Sequence, residues 1–201
     1  MIGVIEYGAG NVGSVLKALA HLGADARICR TPAELKHAER IVLPGVGAFG
    51  EAMARLQDSG LADALRRALE RGTPYLGICL GLQLLFEGSE ESEGGPGLGV
   101  LPGHIRRFVA EPGLKVPHMG WSRLQPVNGA RLFEGLQDEP FVYFVHSYYL
   151  GTPERALVSA TAEHGVRFDA AVERDRMFAV QFHPEKSGRI GLTVLNNFLE
   201  A

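Results

Sequence analysis

Three short stretches carry residue types whose spacing could do chemistry. The first is Gly77-Ile78-Cys79-Leu80-Gly81, set between an apolar strand-like run and a helical run over 82–86. This is the pattern of a nucleophile elbow: a sharp strand-to-helix turn crowds its own neighbours, so glycines on either side let the backbone pack while the central side chain stands clear. A cysteine there also meets a helix N-terminus, where the macrodipole favours negative charge and so suits a thiolate. The bland alternative, a buried structural cysteine, is the expected fate of Cys29. The second stretch is Val180-Gln181-Phe182-His183-Pro184-Glu185, at the end of another apolar run. In an extended chain residues i and i+2 face the same way, so His183 and Glu185 can share an edge, with Pro184 keeping His183 extended. That pairs a base with its orienter: a thiolate needs an imidazole to hold its proton and release it to a leaving amine, and the imidazole needs a carboxylate. Singly, each residue reads as a strand-end histidine and a solvated glutamate. The third is Pro44-Gly45-Val46-Gly47, after a third apolar run. Its glycines permit the Val46 peptide to present its N–H to an oxyanion, with the Leu80 N–H as second donor. A plain tight turn reads equally well there.

A fourth motif points to a different class. Gly8-Ala9-Gly10-Asn11-Val12-Gly13 fits G-x-G-x-x-G between a strand and a helix, the context of a dinucleotide-binding oxidoreductase. That reading needs an acid at the end of the second strand, where Ala26-Arg27-Ile28-Cys29-Arg30 stands instead. It also leaves Cys79, His183 and Glu185 unexplained.

The elements that must position these residues follow from length and periodicity. With 201 residues, the chain is within reach of a single domain at roughly 100–200 residues each. A net charge of −3, with 46% hydrophobic and 21% charged residues, gives no general attraction to nucleic acid or to a membrane surface. No leader-like N-terminus or spanning apolar run is present, so a cytoplasmic protein is expected. Two cysteines support neither a disulfide framework nor a Cys-rich zinc site, and no metal or cofactor is expected. Strand-like runs over 2–7, 26–29, 40–43 and 74–78 alternate with helical stretches, one marked by Leu16, Leu19 and Leu22, another by Leu61, Leu65 and Leu69 with Ser59 placed as its cap. The Gly-, Glu- and Ser-rich stretch over 88–99 reads as an exposed loop. Further strand-like runs cover 103–109, 141–150, 156–160 and 177–182, and a helix over 190–199 closes the pattern. Such alternation predicts an α/β fold: a doubly wound, mainly parallel sheet with flanking helices.

Taken together, these motifs resemble the class I (triad-type) glutamine amidotransferases over nearly the whole chain, as one amidotransferase domain spanning 1–201 with flavodoxin-like layering. The resemblance rests on Tyr7-Gly8-Ala9-Gly10-Asn11, Pro44-Gly45-Val46-Gly47-Ala48-Phe49, Gly77-Ile78-Cys79-Leu80-Gly81-Leu82-Gln83, Pro117-His118-Met119-Gly120-Trp121, His146-Ser147-Tyr148-Tyr149 and Phe182-His183-Pro184-Glu185-Lys186-Ser187. The segments around Asn11 and Trp121 point to the family's histidine-biosynthesis branch. The resemblance implies a glutaminase with Cys79, His183 and Glu185 as its triad, and with Gly47, Gln83, Ser147 and Tyr148 holding the glutamine. It also implies a separate (β/α)8-barrel cyclase subunit, joined in a heterodimer to which Asn11, Met119, Trp121 and Lys186 contribute. Amidotransferase subunits of anthranilate, aminodeoxychorismate or pyridoxal phosphate synthesis would share the triad and differ in acceptor, and an idle scaffold is the non-enzyme alternative. Independently, the motifs between 44 and 185 occupy most of the chain and leave no length for a domain that would consume ammonia.

Overall fold

The computed structural model describes the chain apart from Ala9, Glu111, residues 137–139 and the side chain of Glu93. Its first half runs β1 (Ile2–Ile5), α1 (Val12–His21), β2 (Ala26–Cys29), α2 (Pro32–Leu35), β3 (Arg40–Gly45), α3 (Phe49–Asp58), α4 (Leu61–Glu70), β4 (Tyr75–Cys79) and α5 (Leu80–Gln83). The second half is mostly strand: β5 (Gly88–Ser89), β6 (Ser92–Pro96), β7 (His104–Arg107), β8 (His118–Pro126), β9 (Phe141–His146), β10 (Tyr148–Gly151), β11 (Val158–His164), β12 (Val166–Arg174) and β13 (Met177–Val180), followed by α6 (Gly188–Glu200).

Five strands, in the order β2-β1-β3-β4-β13, are parallel and form the heart of one mixed sheet. Their apolar residues alternate between its two faces, as a period of two requires. Ile5, Ile41, Leu43 and Tyr75 pack with α3 and α4 on one side, while Val4, Val42, Leu76 and Ile78 pack with α1 and α6 on the other. Each helix brings a stripe to match. Phe49, Met53 and Leu56 of α3 and Leu61, Leu65 and Ala68 of α4 are buried at helical spacing. Each large aliphatic or aromatic side chain buried in this way contributes roughly 1.5–3 kcal/mol over leaving it exposed. Beyond β13 the sheet turns antiparallel through β12, β10 and β7, and β11, β8 and β9 extend from β12 as a branch.

The class of fold is the one expected, with local differences. Ser59 does not cap α4: α3 ends just before it, its hydroxyl donates back to the Leu56 carbonyl, and the left-handed Gly60 makes the corner. Residues 88–99 are no simple exposed loop, since β5 and β6 pair within them and Leu98 is buried. The run over 141–150 is two strands broken at Ser147, β9 pairing with β8 and β10 with β7. The run over 156–160 begins as a turn of 3-10 helix, Arg155–Leu157, before β11. Among the described residues, no helix is long and apolar enough to cross a membrane.

Candidate active site

The register of β3 on β4 pairs Gly45 with Cys79, which carries Val46 to the side of Leu80 at the carboxyl edge of the parallel strands. Functional loops gather at that edge in doubly wound sheets. Cys79 adopts φ 56° and ψ −107°, a left-handed conformation that costs a non-glycine residue on the order of 1–3 kcal/mol. The neighbouring glycines explain why the turn closes. A Cβ on Gly81 would collide with the Leu43 carbonyl, and one on Gly77 would meet the Gly81 carbonyl at 2.6 Å. The helix after the cysteine is a single turn, α5, so the macrodipole expected from a longer helical run over 82–86 is small here; its first residues are instead locked against β3.

His183 and Glu185 arrive from β13, which lies directly beside β4. His183 is extended before Pro184, as expected, but Glu185 does not continue the strand. Residues 184–186 form a 3-10 turn with Pro184 at its first position, where a fixed φ favours turning. The turn still brings the pair together: His183 Nδ1 lies 2.8 Å from Glu185 Oε1, and both side chains are essentially inaccessible. Ser187 ties the segment down, donating to the His183 carbonyl at 2.7 Å and accepting from the Tyr143 N–H. Burial alone would lower the His183 pKa; the adjacent Cys79 and the bonded Glu185 more than offset it and hold the imidazole up to about 10. Among the described residues its Nε2 has no hydrogen-bond partner, so this is the ring nitrogen free to give or take a proton.

A cleft of about 320 Å³ opens over the sulfur, lined by Val46, Gly47, Cys79, Leu80, Gln83, Glu91, Pro117, Val145, His146, Ser147 and Tyr148. It therefore gathers the nucleophile candidate, both oxyanion candidates and all four substrate candidates from the sequence. A larger hollow of about 990 Å³ between Gln125 and Leu136 contains neither cysteine nor histidine. Glu91, in the stretch expected to be an exposed loop, was not anticipated. Its carboxylate accepts from the Phe49 N–H at 2.8 Å, so it is held at the cleft wall. Nothing in its Ser- and Glu-rich surroundings distinguishes it from Glu90.

The remaining candidates lie outside the cleft. Asn11 does not cap α1 through its side chain; its amide donates to Glu185 Oε1 at 3.1 Å, the oxygen that His183 also uses. The glycine-rich loop before it, of which Ala9 lies outside the described residues, receives the Arg55 guanidinium on the Gly8 carbonyl. Arg30, which ends the stretch where the dinucleotide fingerprint needs an acid, pairs with Glu6. Met119 and Trp121 stand outward on β8, 63% and 55% exposed, and the Trp121 ring meets Tyr143 edge-on at 6.1 Å. Lys186 reaches the same Tyr143 ring, its Nζ 5.8 Å from the centroid. Cys29 is free and buried between β2 and α2, where burial first and then Glu34 push its thiol up.

Comparison with known proteins agrees in family and fold. The profile described as "Glutamine amidotransferase class-I" matches residues 3–201. The chain is 50% identical over 198 residues to "Imidazole glycerol phosphate synthase subunit HisH" of Desulfitobacterium hafniense (strain DSM 10664 / DCB-2), covering 98% of this chain and 93% of that protein. It is likewise 50% identical over 200 residues to the protein of that name from Methanothermobacter thermautotrophicus, covering 100% and 98%. Among solved structures, one described as "Crystal structure of glutamine amidotransferase" superposes with a TM-score of 0.79 at 21% identity, covering 99% of this chain and 97% of the other, a likeness of fold alone.

Proposed function

The chain belongs to the class-I glutamine amidotransferases, and from that membership we propose that Cys79, His183 and Glu185 hydrolyse glutamine in the cleft over β4. The chain is the glutaminase subunit of an imidazole glycerol phosphate synthase, an enzyme of histidine biosynthesis. The observation that carries the residue assignment is the convergence of two distant segments: a strained cysteine at the cleft floor and, from the turn after β13, a histidine raised by that cysteine and by the carboxylate bonded to its far ring nitrogen.

In this reading the Cys79 thiolate attacks the carboxamide carbon, and a carbon–sulfur bond forms as the carbonyl becomes an oxyanion held by the Val46 and Leu80 amides. His183 gives its proton to the departing nitrogen, the carbon–nitrogen bond breaks, and ammonia leaves a thioester. Water then attacks the thioester, His183 takes its proton, and the thiolate departs as glutamate forms. Glu185 holds the ring of His183 in place throughout and stabilises it whenever it is protonated, and Asn11 braces Glu185. Gly47, Gln83, Ser147 and Tyr148 seat the substrate, while Glu91 supplies an anion for its ammonium group. The residues 1–201 act as one domain, a reading supported by a sheet that links all thirteen strands found among the described residues.

A synthase subunit has a partner, and we take it to be a (β/α)8-barrel cyclase that receives the ammonia in a heterodimer. What supports this is the apolar outer face of β8 and β9, where Met119, Trp121 and Phe141 are at least half exposed beside Tyr143 and Lys186. A reaction confined to the cytoplasm fits such a biosynthetic role. Glutamate release should be measured with the purified chain alone and with the cyclase and its phosphorylated ribonucleotide. Cys79→Ala should abolish release in both cases while leaving the unfolding transition cooperative. Release near the wild-type level would remove Cys79 from the mechanism.

A further inference from the structure

Two buried histidines beside the cleft belong to motifs that the triad does not absorb. His118 lies on β8 and His146 ends β9, paired across the two strands and 3% and 6% exposed. Their four ring nitrogens are all engaged. His146 Nδ1 lies 2.8 Å from the Tyr148 carbonyl, His118 Nδ1 lies 3.0 Å from His146 Nε2, and His118 Nε2 lies 2.7 Å from Ser122 Oγ.

The roles in this chain follow from one fixed end. A carbonyl oxygen can only accept, so His146 must carry its proton on Nδ1. Its Nε2 then accepts, which places the His118 proton on Nδ1 as well, and leaves His118 Nε2 to accept from the Ser122 hydroxyl. This pattern belongs to neutral rings, because a second proton on His146 would turn its Nε2 from acceptor into donor and reverse the bond to His118. Burial above all pulls His146 down to about 3 and His118 to about 4, so neither is charged at pH 7. Phe108, Phe144 and Phe168 surround the pair and keep water from competing.

The same carbonyl orders the cleft on its other side. It accepts from Gln83 Nε2 at 3.2 Å, and Gln83 Nε2 also donates to Gln181 Oε1 at 3.0 Å. With its oxygen so used, the wholly buried Gln181 turns Nε2 to the Cys79 sulfur, 3.5 Å away. An unbroken line of hydrogen bonds thus joins Ser122, on the strand that displays Trp121, to the sulfur.

We propose that His118 and His146 are positioning residues, a tautomer-locked pair that fixes the Tyr148 carbonyl and, through Gln83 and Gln181, aims a hydrogen-bond donor at the Cys79 sulfur. The proposal rests on Cys79 as the nucleophile and adds to it a support for the sulfur from Gln181, two residues before His183. It assigns Gln181 the contact with the reacting atom, and it gives the two histidines a role without proton transfer.

Three measurements test it. Imidazole nitrogen NMR of the full-length chain at pH 7 should show both rings neutral with the proton on Nδ1, the less common tautomer in water. An Nε2–H form or an imidazolium at either position overturns the proposal. Next, the rate of Cys79 alkylation by iodoacetamide, together with kcat and KM for glutamine with the cyclase present, should be compared in His146→Phe and His146→Asn. Phenylalanine keeps the bulk and loses the donor, and should slow both alkylation and kcat about ten-fold. Asparagine restores an N–H near the Nδ1 position and should recover most of the loss. Equal rates in the two variants mean that the ring only fills space, and overturn the proposal. Because His146→Phe can impair folding, Ser122→Ala is the second route. It frees the His118 tautomer and should lower the alkylation rate about three-fold, and an unchanged rate counts against the relay. Cys79→Ala, run in parallel, tests the nucleophile itself, so failure of the relay and failure of the triad give different results.

Discussion

At the scale of the residue, the strongest electrostatic feature is His183. Its pKa rises from 6.5 to about 10 on folding, so folding binds protons there. The stability that this supplies is present in full below about pH 6.5 and is lost as pH rises toward about 10. His183→Gln removes it. The stability difference between the parent and this variant should therefore shrink between pH 6.5 and pH 9.5 in urea unfolding, and a difference that stays constant or grows contradicts the sign. Much at this scale was readable from types and spacing alone, because an elbow and a His-x-Glu pair are local in sequence. What was not readable depends on long-range placement. Asn11 is separated from Glu185 by 174 positions and Gln181 from Cys79 by 102, and neither side chain carries any local sign of its target.

At the scale of the element, the elbow shows why some positions tolerate no side chain. The first turn of α5 crosses β3 so closely that a methyl group on Gly81 would occupy the Leu43 carbonyl. Backbone atoms cannot rotate away as a side chain can, so α5 or β3 would have to move. Gly81→Ala should cost about 3 kcal/mol or more in denaturant unfolding, and a cost below about 1 kcal/mol would mean that β3 yields readily at this crossing. Strand β8 illustrates the opposite difficulty. Over 118–122 its inward positions are His118 and Ser122 and its outward ones Met119 and Trp121, so in that half of the strand the usual apolar-in, polar-out alternation is reversed, returning only at Leu124. A strand whose buried side chains bond to one another and whose exposed ones are apolar does not declare itself by hydrophobic period. The run over 141–150 looked like one strand for a related reason: the chain stays extended through Ser147 while changing partners, and partner choice leaves no mark on composition.

At the scale of the whole molecule, the parallel heart was readable because each buried strand is apolar on both faces. The antiparallel extension was readable only in part: the runs over 103–109, 141–150 and 156–160 mark β7, β9, β10 and the start of β11, whereas β8 and β12, which mix polar and apolar residues, do not stand out. That extension is what carries the exposed face of β8 and β9 to the rim of the cleft. If this face docks the cyclase, its large apolar side chains should dominate the affinity. Trp121→Asp should weaken association with the cyclase by about 100-fold or more in calorimetric titration, with no change in the melting temperature of the isolated chain. Unaltered affinity would place the interface elsewhere.

The burial of Cys29 has a practical consequence. With one thiol sealed between β2 and α2 and pushed up by its surroundings, and the other at the floor of an open cleft, the chain offers an alkylating reagent a single reachable target. Label taken up beyond one per chain then counts the molecules in which the seal over Cys29 has opened, which gives a direct readout of loosened or misfolded material in a sample.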